Sequence, residues 1–191
     1  MDVGRLHSKI LETDGSTDAV YLPGISIVNH LDGSMYGNYS APQGLAILII
    51  DDGGNFETSN MDREKEKRHS ERYEKEIIQS VSLINYGLKT NCLKYLAAGT
   101  TLSALVNNSL NPKSILRSCL NLVASGSALG FNTSHTGTVV GGLCYEKNLK
   151  PLLKRVVFKR INKSFFIRLE VCMNSYIDAL HSSLKTLLLP R

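Results

Sequence analysis

Between Gly126 and Gly142 the chain reads GSALGFNTSHTGTVVGG, which places five glycines, five Ser or Thr hydroxyls and one histidine in a single short stretch. Glycines let backbone N–H groups approach an anion or a neighbouring strand closely, because no Cβ stands in the way. Two further stretches, STDAVYLPG at Ser16 to Gly24 and DGGNFET at Asp52 to Thr58, are also unusual for a plain α+β domain. Each has an ordinary structural reading: a Gly/Ser-rich hairpin, an Asx or capping arrangement at Asp18, a hydrogen-bonded buried ring at His135, and a strand-end turn at Asp51 to Gly54.

Metal and disulfide chemistry are disfavoured. The four cysteines, Cys92, Cys119, Cys144 and Cys172, lie far apart in apolar surroundings, with no C-x-x-C spacing and no histidine three or four residues away. Buried free thiols and no metal site are expected.

Charge points to no particular partner. The net charge of +5 is mild, although Lys147 to Arg168 holds eight Lys or Arg and no acid. Leu149, Leu152, Leu153, Val156, Val157 and Ile161 recur at helical spacing beneath those charges, and no aromatics interleave with the basic residues in a stacking pattern. A solvated helix face is therefore expected, and nucleic acid is not. The longest uninterrupted apolar run, Leu45 to Ile50, is far too short for a bilayer, so no membrane association and a cytoplasmic location are expected.

The elements that must hold these stretches can be read from periodicity. With 191 residues and 42% apolar content, the chain is long enough to bury a core. Strands are predicted at Ile25 to His30 and Ser34 to Ser40 around an Asp32-Gly33 hairpin signal, and at Leu45 to Ile50, whose unbroken apolar run suggests burial on both faces. The charge-dense piece from Asp62 to Glu76 fits a loop or the first turns of a helix, and Ile77, Val81, Ile84 and Leu88 predict a helix over about 71–88. Further helices are expected over Cys92 to Val106, with Gly99 a weak spot, and from Pro112 to a stop at Gly126. Strands at Ala128 to Asn132 and Thr138 to Tyr145, a helix from Lys147 to Ile161, a strand from Phe165 to Met173 and a helix from Ser175 to Leu189 complete the chain. Runs of strands and then of helices imply an α+β two-layer sandwich, a mainly antiparallel sheet with helices packed on one face.

The three unusual stretches, in this order and at these separations, resemble the C-terminal half of GHMP-superfamily small-molecule kinases. The likeness is nearest to the L-threonine kinase branch linked to cobalamin biosynthesis and propanediol utilisation. STDAVYLPG is similar to that branch's P-T-D-G-x-M-Y-P-G element, with Thr17, Asp18, Tyr21, Pro23 and Gly24 in register. Asp51, Gly53, Gly54, Glu57 and Thr58 resemble a D-x-G-G-x-x-D-T turn after the central strand. TLSALVNN at Thr101 to Asn108 resembles a helical T-x-S-A-x-x-N-Q stretch. SALGFNTSHTGTV resembles G-A-x-G-x-x-x-A-H-S-G-T-V and keeps Gly130, His135, Gly137, Thr138 and Val139.

The resemblance implies a ferredoxin-like C-terminal domain over 25–191, with 1–24 carried over from the N-terminal lobe. It implies ATP-dependent phosphoryl transfer to a small hydroxyl-bearing substrate, usually with Mg2+. Asp18 would be the catalytic carboxylate that orients the accepting hydroxyl or takes its proton. Thr17, Ser134, His135, Thr136, Gly137 and Thr138 would lie near substrate or phosphate.

Three features depart from the family. Gly15 stands where it has Glu, Ser-His-Thr stands where it has Ala-His-Ser, and the phosphate-binding P-x-x-x-G-L-x-S-S-A element is not found in the sequence. An N-terminal kinase lobe, or self-association, is therefore the expected partner, and ATP and Mg2+ belong to the complete enzyme rather than to this chain alone. A non-catalytic small-molecule-binding or regulatory module, or a structural subunit of a split kinase, fits the same residues.

Overall fold

The computed structural model describes residues 24–29, 34–51, 62–134, 137–158 and 167–171. It divides into two compact units, Met1–Pro42 and Gln43–Arg191.

In the first unit, β1 (Ile25–Val28) and β2 (Met35–Tyr39) form an antiparallel hairpin with a register shift between Ile27 and Val28. The Asn38 amide donates to Ser26 Oγ across it at 2.7 Å.

The second unit holds the main sheet. Its elements are β3 (Leu45–Asp51), α1 (Arg63–Arg72), α2 (Glu74–Lys89), α3 (Leu93–Leu110), α4 (Leu116–Ala124), β4 (Gly130–Thr133), β5 (Val139–Tyr145), a short 3-10 turn (Glu146–Asn148), α5 (Leu149–Phe158) and β6 (Ile167–Val171). The sheet order is β4-β5-β3-β6, with every neighbouring pair antiparallel. A strand, a helical excursion, two hairpin-connected strands, a helix and an edge strand beside the first make the split βαβ arrangement of ferredoxin-like folds. The α+β class with helices against an antiparallel sheet is thus observed.

Register explains the core. Residues paired across antiparallel strands share a face, so Leu48 and Phe131 flank Gly142, Ile50 faces Val140, and Ala46 faces Cys144. All of these are buried, packed against Ile115, Leu116, Cys119 and Leu122 around α4 and Leu149, Leu152 and Val156 of α5. The other face of β3 is covered in part: Leu45 is buried, and Ile47 and Ile49 are half-buried. The expectation of a strand buried on both faces thus holds fully on the core face and in part on the other. An antiparallel sheet needs one apolar side, and the isoleucines that made the run look continuous lie on the other side.

The helices show two further departures from the sequence reading. The charge-dense piece is a helix of its own, α1, capped by Asp62, whose carboxylate accepts from Lys65 N at 3.0 Å, with Glu64 and Glu66 in the first turn. It gives way to α2 at Tyr73, and the helix expected over about 71–88 is observed as α2, Glu74–Lys89. The third helix runs a turn beyond Val106, to Leu110.

Gly99 is not a weak spot. A Cβ there would come within 2.8 Å of both Ile84 N and Ser80 O, so the glycine lets α2 and α3 pack backbone to backbone. The expected stop at Gly126 holds: its φ of +69° supplies the left-handed residue after α4, and Ser127 N donates back to Leu122 O at 2.8 Å. The helix expected over Ser175 to Leu189 lies outside the described residues.

Candidate functional site

The glycine-rich stretch becomes β4, a turn and β5, and the turn lies at the end of the sheet where β3 finishes in Asp51. Its neck is closed by its own backbone, with Ser134 N donating to Val139 O at 3.0 Å. The Ser134 hydroxyl donates to the same carbonyl at 3.3 Å. On the other side of the neck, the Thr138 hydroxyl donates to Asp51 Oδ1 at 2.5 Å.

Helix α3 supplies the third wall. It runs along β4, which is an edge strand, and satisfies donors the sheet leaves open. Thr101 Oγ1 accepts from Phe131 N at 3.0 Å while donating to Ala97 O at 2.7 Å. The approach is close because residue 130 is glycine: a Cβ there would meet Ala97 O at 2.4 Å and Thr101 Oγ1 at 2.5 Å. One and a half turns further on, the Asn107 amide donates both to Thr133 Oγ1 at 3.1 Å and to Ser134 O at 2.9 Å. The last turn of α3 is itself tied to α1, where His69 Nε2 and Ser109 Oγ are 2.6 Å apart.

Of the residues singled out in the sequence, the structure brings Ser134, Gly137 and Thr138 together around this turn. Thr17, Asp18, His135 and Thr136 lie outside the described residues. Sequence reasoning did not single out Asn107 and Asp51 as site residues, although both fall inside quoted patterns. Their signal was a polar residue at the end of an apolar run, which reads as a cap or a turn until the distant partner is known.

In the described arrangement the Ser134 and Thr138 hydroxyl protons are engaged by protein oxygens, so these residues shape the turn. Among the described residues no three His, Cys, Asp or Glu side chains group closely enough to hold a metal ion. Nearby, burial lowers the Lys113 pKa below its usual value. The Lys113 backbone N–H is held by Asn108 Oδ1 at 2.7 Å. In the core, burial pushes the Cys144 thiol up to about 11. Cys119 and Cys144 are buried thiols and Cys92 a half-buried one, none of them in a disulfide. No described helix is long and apolar enough to cross a membrane.

Neither a protein-family model nor a curated protein matches the chain. Solved structures do. A homoserine kinase from Cytophaga hutchinsonii superposes with a TM-score of 0.58 at 14% identity, covering 90% of this chain and 58% of the other. The L. major mevalonate kinase in complex with R-mevalonate gives 0.59 at 15% identity, covering 75% and 47%. The chain thus spans about half to three-fifths of the kinases it matches. At such identity the likeness is one of fold: the chain shares its α+β fold with part of these two kinases.

Proposed function

We propose that the chain is the C-terminal lobe of an ATP-dependent GHMP-type kinase that phosphorylates the hydroxyl of a small, L-threonine-like molecule. The observation that carries this reading is the tethered β4–β5 turn. A stretch resembling the kinases' glycine-rich element sits at the end of a ferredoxin-like sheet, on a fold shared with homoserine and mevalonate kinases. The turn's role is to shape one wall of a cleft. Phosphoryl transfer depends on positioning and electrostatic stabilisation more than on covalent help, and a wall held by long-range hydrogen bonds suits that task. The phosphate-gripping element comes from an N-terminal lobe outside these 191 residues, and Asp18 is the group that orients the acceptor hydroxyl.

ATP-dependent phosphorylation of L-threonine, L-homoserine and R-mevalonate by the chain, alone and with a candidate N-terminal lobe, tests this reading. Turnover is expected only with the lobe, with L-threonine preferred and with loss of turnover in Asp18→Asn. Robust turnover by the chain alone would overturn the need for a second lobe. Amino-acid binding that never responds to nucleotide, with the lobe supplied, would replace the kinase by a binding module.

A further inference from the structure

The β4–β5 turn is held at both ends by side chains far away in sequence. We propose that Asn107 and Asp51 are positioning residues, a double clamp that fixes Ser134 and Thr138 and so sets the shape in which the turn meets substrate. The significance for catalysis rests on the kinase reading above; the clamp itself does not.

A hairpin connection of this length needs no such help. Its ends are already closed by Ser134 N to Val139 O, as hairpins normally are. Two side chains nevertheless converge on it from outside. Asn107 comes from the last turn of α3, a helix fixed to β4 through Thr101 and to α1 through the Ser109 contact with His69. Its amide donates to both Thr133 Oγ1 and Ser134 O, so its two N–H vectors hold the β4 end of the turn. Asp51 ends the central strand, paired in register with Val139, and its carboxylate takes the Thr138 hydroxyl at the β5 end. The clamp therefore refers the turn to the two stiffest neighbours available, the central strand and the long helix. Ser134, Gly137 and Thr138 are half-buried, so burial alone does not fix the turn. Hydrogen bonds that add little to the core set its geometry instead.

Near-isosteric substitutions test the clamp. Thr138→Val removes the hydroxyl and keeps the shape, Thr138→Ser restores it, and Asn107→Asp replaces two donors by a carboxylate facing the Ser134 carbonyl. Amide hydrogen exchange of the chain should show protection of the turn falling on the order of tenfold in Thr138→Val and Asn107→Asp, with core strands unchanged and Thr138→Ser like wild type. Asn107→Asp should regain protection below about pH 4, where a protonated carboxyl donates again; removal of packing alone would give no such recovery. Unchanged exchange in both variants, or a uniform loss across the core, overturns the clamp.

With the N-terminal lobe supplied, kcat should fall between about ten- and a hundredfold with KM for ATP little changed, and Thr138→Ser should recover it. Wild-type kcat in both variants would overturn the positioning role. Absence of turnover in the wild type would instead sink the kinase reading, leaving the exchange result to decide the clamp.

Discussion

Strand β3 passes through two environments within seven residues. Its body is apolar on the core side, where Ala46, Leu48 and Ile50 have no exposed surface and pack among helices. Its last residue, Asp51, belongs to a polar cluster with Thr138, while Ser134 and Asn107 meet on the other side of the same turn. The core end is held by area removed from water, which is non-directional and tolerant of detail. The turn end is held by a few directed hydrogen bonds, each small in net stability and exacting in geometry. One strand thus joins the part of the molecule that supplies stability to the part that supplies shape.

The largest effects should come from the core end. Phe131 is fully buried and its ring lies against Gly142, where an added Cβ would stand 2.8 Å from Cε1. Phe131→Ala should cost about 3–5 kcal/mol in denaturant titrations. Gly130→Ala should cost about 1–3 kcal/mol, because the new methyl meets the Ala97 carbonyl of the α3 backbone rather than a movable side-chain tip. If Gly130→Ala were neutral, the close seam between α3 and β4 would be wrong, and with it the route by which α3 reaches the turn.

The same contrast explains what the sequence could and could not reveal. Ile115, Leu116, Cys119, Leu120 and Val123 announce a helix by spacing alone, and the hairpin pattern around Gly130 and Gly142 places two strands, because packing periodicity is local. The ferredoxin-like class followed from element order together with resemblance. The face of β3 did not: Ile47 and Ile49 are as apolar as Leu48, and only pairing with β5 separates the two sides. Asn107 was hidden differently. Its partners lie 26 and 27 residues away, and Thr138 is 87 residues from Asp51, separations at which no local pattern survives. Gly99 misled because intrinsic helix propensity counts a glycine as a loss, whereas here the absent side chain makes room for Ile84 and Ser80.

Between the two regimes lies Thr101, whose hydroxyl joins the seam to the hydrogen-bond ladder. Thr101→Val keeps the shape and leaves the Phe131 N–H without its acceptor, at a cost of about 1–2 kcal/mol by equilibrium unfolding. Thr101→Ser should recover most of it. A loss as large as that of Phe131→Ala would show that directed bonds contribute to stability here on the scale of the core, and the contrast would fail.

Cys144 gives the smallest and most selective readout, since it sits in the core half of β5 and faces Ala46. Burial raises its thiol from an ordinary 9.0 to about 11. The folded state then holds a proton that the unfolded chain releases first, so stability is full below about pH 9 and falls as pH rises towards about 11. Unfolding titrations should therefore show a steeper loss over that window in the wild type than in Cys144→Ala. Thiol labelling at neutral pH carries the comparison to the other end of the strand. Cys92, only half-buried, should react before Cys144, which should wait for the core to open. Gly130→Ala should speed Cys144 labelling by loosening the sheet, and Thr138→Val should leave it at the wild-type rate, because undoing the clamp frees the turn without opening the core. Equal acceleration by both variants would mean that the two ends of β3 open together, and that the turn is part of the core rather than a shape mounted on it.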